Sequence, residues 1–558
     1  MKSVGGVWQG RTLPSRISGW TVAACLIAAG VLLPFAGLTS QAVLLSDGLW
    51  SHIAVNVLPA AALDTVILLA GVALLAGVMG TLLAWLVTAY DFHGRRFLEW
   101  ALLLPLAMPS YIIAYAYLDL LHPIGAFQGA IRWLLGYASP REFRLPDLRS
   151  MTGCILLLGM VLYPYVYLTT RAMFLTQSAN FLDAARTLGV SRHGLFLHVA
   201  LPLARPAIAV GISLALMEAL NDVGASEFLG VRTLTVSIYS TWVTRGDLPG
   251  AAQIALALLL GVVGLIALER WARRRQRYTL GTQKPHPTTP EPIRGWRGLA
   301  LFGIAILPVL LGFALPALYL LVEAYKRWNF AGISDRLATE ALTTLTLAGI
   351  ATLVATVFGI VVAYAIRLRP GPGFAWVGRL ATIGYAAPGT VVAIGCLIVL
   401  AGFDRTLDQT AREWFGFSTG LVLMGSGAAL IFAYVTRFLT ISTGSVESGM
   451  ARIPASLDHA ARSLGRTETQ TLTAIHLPLS RVALASGALL VFVDCVKELP
   501  ATLLLRPLNV ETLATHLYGE AARGTYEEAS LAALAIVAVG LIPVILLARV
   551  GRRDSRAR

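Results

Sequence analysis

The chain has 558 residues and a mass of 59.5 kDa, with 56% hydrophobic residues, 13% charged residues and a mean hydropathy of +0.71. Soluble domains carry about 25% charged residues, so an ordinary soluble enzyme is excluded. The net charge of +14 would suit nucleic acid in a soluble chain, but here the basic residues sit between apolar blocks, where they set membrane orientation; no nucleic-acid partner is expected.

In chain order, apolar windows fall near 19–39, 63–90, 97–120, 152–175, 205–226 and 250–269, then near 298–322, 341–366, 377–401, 417–441, 481–503 and 528–548. A helix needs about 20 residues to cross a bilayer core. The windows therefore predict an all-α polytopic membrane protein with about twelve transmembrane helices. The first window follows Lys2, Arg11 and Arg16 but is too long for a secretory signal and ends without an A-x-A site, so it reads as a retained first span. With the N-terminus in the cytoplasm, 30 of the 44 lysines and arginines fall on that side, which predicts that both termini are cytoplasmic. The stretch 271–297, with Arg273-Arg274-Arg275 and a Pro-rich run ending at Pro292, reads as an extended cytoplasmic linker.

The linker divides the chain into a first repeat, 1–270, and a second, 298–558. Gly80 matches Gly359, Ala84 matches Ala363 and Pro109 matches Pro388 at an offset of 279. Gly189 matches Gly465, Pro202 matches Pro478 and Gly211 matches Gly487 at an offset of 276. An even number of spans per copy makes this a parallel repeat about an axis along the membrane normal.

Each repeat carries the same loop, at 178–204 and 446–480. The first reads Asp183-Ala184-Ala185-Arg186-Thr-Leu-Gly189, then nine residues, then Val199-Ala-Leu201-Pro202. The second reads His459-Ala460-Ala461-Arg462-Ser-Leu-Gly465, then nine residues, then Ile475-His-Leu477-Pro478. Good helix formers ending at a glycine predict a short helix with a small-residue face, which lets another protein approach the backbone closely. The Leu-Pro pairs are expected to open the following span, with proline in its first turn.

The pattern resembles the E-A-A-x-x-x-G-x(9)-I-x-L-P loop of binding-protein-dependent ABC importer permeases. Asp183 stands for Glu, Val199 for Ile and, in the second copy, His459 for Glu with Asp458 before it. The resemblance implies a type I importer permease fold, fused so that one chain engages two copies of a cytoplasmic ABC ATPase through these coupling loops and receives cargo from a periplasmic binding protein. It implies a multi-pass protein of the bacterial inner membrane. No G-x-x-x-x-G-K-[ST] loop is present and only Lys2, Lys284, Lys326 and Lys497 occur, so ATP and Mg belong to the partner. No cofactor and no enzymatic activity are expected of this chain.

Ionisable groups within spans are costly and tend to face protein or water. Glu218 and Asp222 lie four residues apart in the fifth span and correspond, at the offset of 276, to Asp494 and Glu498 in the eleventh. These four carboxylates are candidates to line a pathway between the halves; local pairing, with Lys497 beside Glu498 and Asp222 capping the chain at Val223-Gly-Ala-Ser, is the alternative. Carboxylates suit hard cations. The runs Lys497 to Pro507, Glu511 to Tyr518, Pro105 to Tyr115 and Asn221 to Glu227 resemble the ferric-iron branch of these permeases, which implies iron as cargo. Thiamine or another small solute, or an ion-coupled secondary transporter, are the competing readings. Tyr111, Tyr115, Tyr117, Tyr163, Tyr165 and Tyr167 read as anchors or packing. The four cysteines are unclustered and no metal site or disulfide is expected.

Overall fold

The computed structural model describes residues 18–44, 50–176, 191, 194–273, 290–332, 334–369 and 371–556. Among these, eleven helices are long and apolar enough to cross a membrane, and a pair bent by 89° makes up to twelve. Helices dominate because lipid offers no partner to a backbone amide, so each segment must bond within itself.

The first repeat comprises α1 (Gly19–Ala42), α2 (Trp50–Ala89), the bent pair formed by α3 (Arg95–Ala101) and α4 (Ser110–Leu120), α5 (Ala126–Leu135), α6 (Met151–Thr176) and α7 (Leu195–Asn221). Two short helices, α8 (Gly224–Phe228) and α9 (Leu234–Val243), precede α10 (Leu248–Arg273). The second comprises α11 (Trp296–Ala331), α12 (Asp335–Leu368), α13 (Pro372–Ala381), α14 (Gly389–Phe415), α15 (Ala428–Ala451), α16 (Ala455–Ser463) and α17 (Glu468–Val496). It closes with α18 (Pro500–Leu505), α19 (Leu513–Arg523) and α20 (Tyr526–Arg556). The repeat shows in the backbone itself. Pro109 and Pro388, 279 residues apart, have φ, ψ of −55°, 143° and −55°, 146° and start α4 and α14.

By contacts the chain groups into two units. One holds residues up to Leu33, Thr352–Tyr385 and Val435–Val491; the other holds Pro34–Ala351, Ala386–Tyr434 and Phe492–Arg558. Each unit draws on both sequence repeats. In the second unit Gly80 of α2 lies so close to α6 that an added Cβ would meet Val166 Cβ at 2.6 Å; in the first, Gly359 of α12 would meet Ser442 Oγ of α15 at 2.5 Å. Matched glycines thus let matched helices pack closely, the usual device where lipid removes the hydrophobic drive for association.

Several boundaries differ from the sequence reading: the second span begins at Trp50, the seventh runs on to Ala331 and the ninth spans Gly389–Phe415. The apolar stretch Leu421 to Met424 is a loop, because Asp404 accepts hydrogen bonds from Leu423 and Met424 amides and Asp408 from Thr419 and Gly420 amides. The tenth span instead runs on to Ala451, carrying Ser442 and Thr443 buried inside its unit. The fifth and eleventh spans begin earlier than expected, at Leu195 and Glu468. Leu201-Pro202 and Leu477-Pro478 therefore lie inside continuous helices, each directly after a π turn, Leu195–Ala200 and Leu472–His476. The same combination recurs at Leu58-Pro59 and Leu315-Pro316. A widened turn gives room to a proline ring that would strike the carbonyl four residues back.

Of the expected linker, residues 271–273 continue α10 and the rest is described from residue 290 onward, where β2 (Glu291–Pro292) pairs in parallel with β1 (Tyr90–Asp91). All four cysteines are free. Of the tyrosines expected as anchors or packing, Tyr115, Tyr163 and Tyr167 are packing residues: they are fully buried, and the hydroxyls of Tyr163 and Tyr167 donate to Leu102 and Glu99 carbonyls.

Candidate functional site

Asp183, Ala184, Ala185, Arg186 and Gly189 lie outside the described residues. Their second-repeat counterparts form α16, as the composition predicts. His459, Ala460 and Arg462 are exposed, Ala461 is buried, and the helix ends at Gly465 with φ +75°. That left-handed turn lets the amides of Gly465 and Arg466 reach back to Arg462 and Ala461 carbonyls, and glycine adopts it without the Cβ penalty. Leu201, Pro202 and Leu477 are half-buried and Pro478 is exposed.

The inner face of α16 is held by a residue that the sequence reading did not single out. Arg367, near the end of α12, donates to Asp458 Oδ2 from Nε at 3.1 Å and from a terminal nitrogen at 2.8 Å. It also donates to the carbonyls of Met450 and Ile453, at 2.6 and 2.9 Å. These carbonyls lie at and just past the end of α15, where intrahelical donors run out; the guanidinium adds to the Ile453 amide on the Met450 carbonyl, caps the Ile453 carbonyl and pairs with the acid. His476 Nε2 of α17 lies 2.7 Å from Asp458 Oδ1. Asp458 thus ties α16 to α12 and α17 within one unit, while His459 is left on the exposed face. The first-repeat counterpart of Arg367 is Thr88, whose hydroxyl turns back to the Ala84 carbonyl.

The four candidate pathway carboxylates separate into two kinds. Asp222 and Glu498, both buried, are spent on backbone. Asp222 Oδ1 accepts from the amides of Ala225 and Ser226 at 2.8 and 3.1 Å, and Ser110 Oγ donates to its other oxygen. Glu498 accepts from the amides of Ala501 and Thr502, both at 3.0 Å, and from the Thr502 hydroxyl at 2.8 Å. Both therefore cap the short helix after their span, at equivalent positions. Glu218 and Asp494 are half-buried one turn earlier. Lys497, expected beside Glu498, forms an ion pair with Asp494 at 2.8 Å. Tyr111 donates to the Lys497 carbonyl at 3.3 Å and the Gly389 amide to Asn221 Oδ1 at 2.7 Å, so the start of α4 bonds the second repeat's elbow and the start of α14 the first's.

A further cluster went unforeseen because its members are far apart in sequence. Glu340, Glu511 and His516 bring one ligand-type atom each to within 4.8 Å of one another. His516 Nδ1 lies 3.1 Å from Glu340 Oε2, and Arg336 bridges Glu340 and Glu511. The hydrogen bond to Glu340 pushes the His516 imidazole up from its ordinary value, against the opposing effect of burial. With Arg336 inserted between the acids, the cluster reads as a charge network.

Against this geometry the comparisons are direct. The family model described as "Binding-protein-dependent transport system inner membrane component" matches residues 76–278 and again 355–555. The chain belongs to this family. It is a two-repeat ABC transporter permease, a multi-pass membrane subunit of an inner-membrane family and not an enzyme. The "Fe(3+)-transport system permease protein FbpB 2" of Haemophilus influenzae is 23% identical over 493 residues, 87% of this chain and 88% of that one. The "Sulfate transport system permease protein CysT" of Escherichia coli is 29% identical over 241 residues, 42% of this chain and 83% of its own. The "Molybdenum transport system permease protein ModB" of the same organism is 29% identical over 209 residues, 36% and 87%. The two family matches enclose both loop motifs and both capped elbows.

Proposed function

We propose that this permease carries ferric iron across the inner membrane, from a periplasmic binding protein to the cytoplasm, by alternating access. The observation that carries the cargo reading is extent. The ferric-iron permease shares the two-repeat layout, matching 87% of this chain and 88% of its own length, whereas the sulfate and molybdenum relatives match one repeat's length of it, over 83% and 87% of their own chains. Two ATPase copies dock, one on Asp183 to Gly189 and one on α16, both facing the cytoplasm with the two termini. The ATPases supply ATP and Mg; the permease binds no cofactor. Closure of the ATPases draws the two loops together, and α7 and α17 transmit the motion to Glu218 and Asp494 on the pathway. The sequence divisions 1–270, 271–297 and 298–558 are the two permease repeats and their linker.

The test is uptake of radiolabelled ferric iron, sulfate, molybdate or thiamine into vesicles holding the permease with its ATPase and binding protein. Uptake of iron that requires ATP supports the reading; ATP-driven uptake of another cargo alone replaces it, and uptake driven by a proton gradient without ATPase rejects the transporter class. Gly465→Val should uncouple ATP hydrolysis from uptake, because a β-branched residue at positive φ costs about 1–2 kcal/mol and distorts the end of α16; unchanged uptake per ATP would remove α16 from coupling.

A further inference from the structure

The repeat locates its own axis. Leu234 and Leu513 amides donate to Thr65 and Thr344 hydroxyls, each at 2.9 Å, and both partners of the first bond lie 279 residues before those of the second. Thr233 and Thr512 cap α9 and α19 through the amides of Val236 and Thr515, both at 3.3 Å and again 279 residues apart. In this register Tyr239 and Tyr518 occupy the same position of their respective repeats. They touch, edge to face, with ring centroids 6.3 Å apart at 83°. Residues exchanged by a two-fold-like operation meet only close to its axis, so this tyrosine pair lies on the line about which the repeats are related. Cargo passing between the repeats must pass here.

Charge around the pair is one-sided. Tyr518 donates its hydroxyl to Glu227 Oε2, and Phe228 stacks on the Tyr518 ring at 5.3 Å. Glu227 is half-buried and makes no ion pair among the described residues. The nearby cation, Arg506, is already matched: its Nη1 lies 3.2 Å from Glu511 Oε1 and 3.2 Å from the Val510 carbonyl. An oxyanion would meet an unneutralised carboxylate at this point. A hard cation would meet three oxygen donors, one carboxylate and two phenols.

Resting on the ferric-iron reading, we propose that Glu227, Tyr518 and Tyr239 form the axial constriction of the path and pass a hard trivalent cation by direct oxygen coordination. Glu227 is the first ligand. Each phenol that coordinates releases its proton to water, and the metal keeps its oxidation state. The same protons return when the cation leaves, so the closed pair reforms its hydrogen bond to Glu227.

The experiment uses the full chain in lipid nanodiscs, titrated with ferric nitrilotriacetate and followed by the visible phenolate-to-iron charge-transfer band. The band should appear with the wild type, vanish in the Tyr239→Phe/Tyr518→Phe double variant, and require about tenfold or more iron in Glu227→Gln; gallium(III) should compete it away. Phenylalanine keeps the ring packing, and recovery of monodisperse protein controls for folding. Absence of the band, or a band that survives in the double variant, overturns the proposal. So does a band whose loss leaves iron uptake by the complete transporter unchanged. Cargo is settled separately: if the wild-type transporter takes up iron without showing the band, the ferric reading stands and only this site falls; if it takes up an oxyanion and no iron, both fall.

Discussion

The elbow after α7 and the elbow after α17 are alike in backbone and unlike in charge. Asp222 and Glu498 do the same task with different side-chain lengths, each collecting two amides of the helix that follows. A few residues further on, the likeness stops: Glu227, bonded to Tyr518, stands in one repeat, while Arg506, tied to Glu511, stands in the other. Duplication keeps what the backbone requires, because an uncapped buried amide is penalised in either copy. On the proposed reading it releases what lies on the path, because the two sides of an axis need not present the same charge to one cargo.

The sharpest way to break this comparison is to remove a cap. Glu498→Ala leaves the amides of Ala501 and Thr502 without their acceptor in a buried place, at a cost of about 2–3 kcal/mol. Asp222→Ala should cost a similar amount, and the two variants should lower the thermal midpoint of the detergent-solubilised protein alike. A loss confined to one repeat would show that the elbows are not equivalent. Replacements at Glu227 should leave the midpoint close to wild type, since its side chain bonds a phenol and no backbone amide among the described residues. Glu218→Ala with Asp494→Ala should impair uptake while ATPase docking persists; wild-type uptake in the double variant would remove both from the pathway.

A smaller effect is expected where the repeats differ at the opposite level of the chain. Arg367 and Asp458 have Thr88 and Leu182 as counterparts in the first repeat, so the same arginine–carboxylate pair cannot form there. Arg367→Ala should cost about 1–2 kcal/mol, given that the pair is partly open to solvent, and should raise the ATP hydrolysed per cargo moved. Arg367→Lys should not rescue, because a lysine cannot fork between Asp458 and two carbonyls. If hydrolysis and uptake fall in proportion in every variant, the contact holds the fold and transmits nothing.

Much of this was legible in the residues. Apolar blocks of spanning length, Ala-Ala segments ending at Gly189 and Gly465, and two constant offsets were sufficient for the helical class, the duplication and the family. The cap at Asp222 was one of two readings the residues left open, the other being a place on the pathway. What could not be read was pairing across distance. Arg367 and Asp458 are 91 residues apart and Glu340 and His516 far more, and no local period brings them together. Span boundaries also failed where hydropathy and helix parted company: Asp404 and Asp408 held an apolar segment as a loop, and π turns carried Leu-Pro pairs into helix interiors. Tyr239 and Tyr518 share the offset of the repeat, and testing every aromatic against it would have found them.

The smallest expected effect concerns the charge network that only the second repeat possesses. His516 faces Glu340, Glu511 and Glu520, with Arg336 bridging Glu340 and Glu511. The folded protein binds the imidazolium more tightly than the unfolded chain does, since Glu340 raises the pKa above its ordinary value of 6.5. The stabilisation is therefore complete below that ordinary value and is lost as pH rises through the raised folded one. His516→Gln should accordingly lower the thermal midpoint more at about pH 5.5 than at about pH 8.5, by about 1 kcal/mol or less after solvent screening. Ser237, the position equivalent to His516 in the first repeat, has no such partner to lose; Ser237→Ala should shift the midpoint equally at both pH values. A constant gap for His516→Gln would mean that the imidazole is held by packing alone, and the difference between the repeats at this level would be one of shape and not of charge.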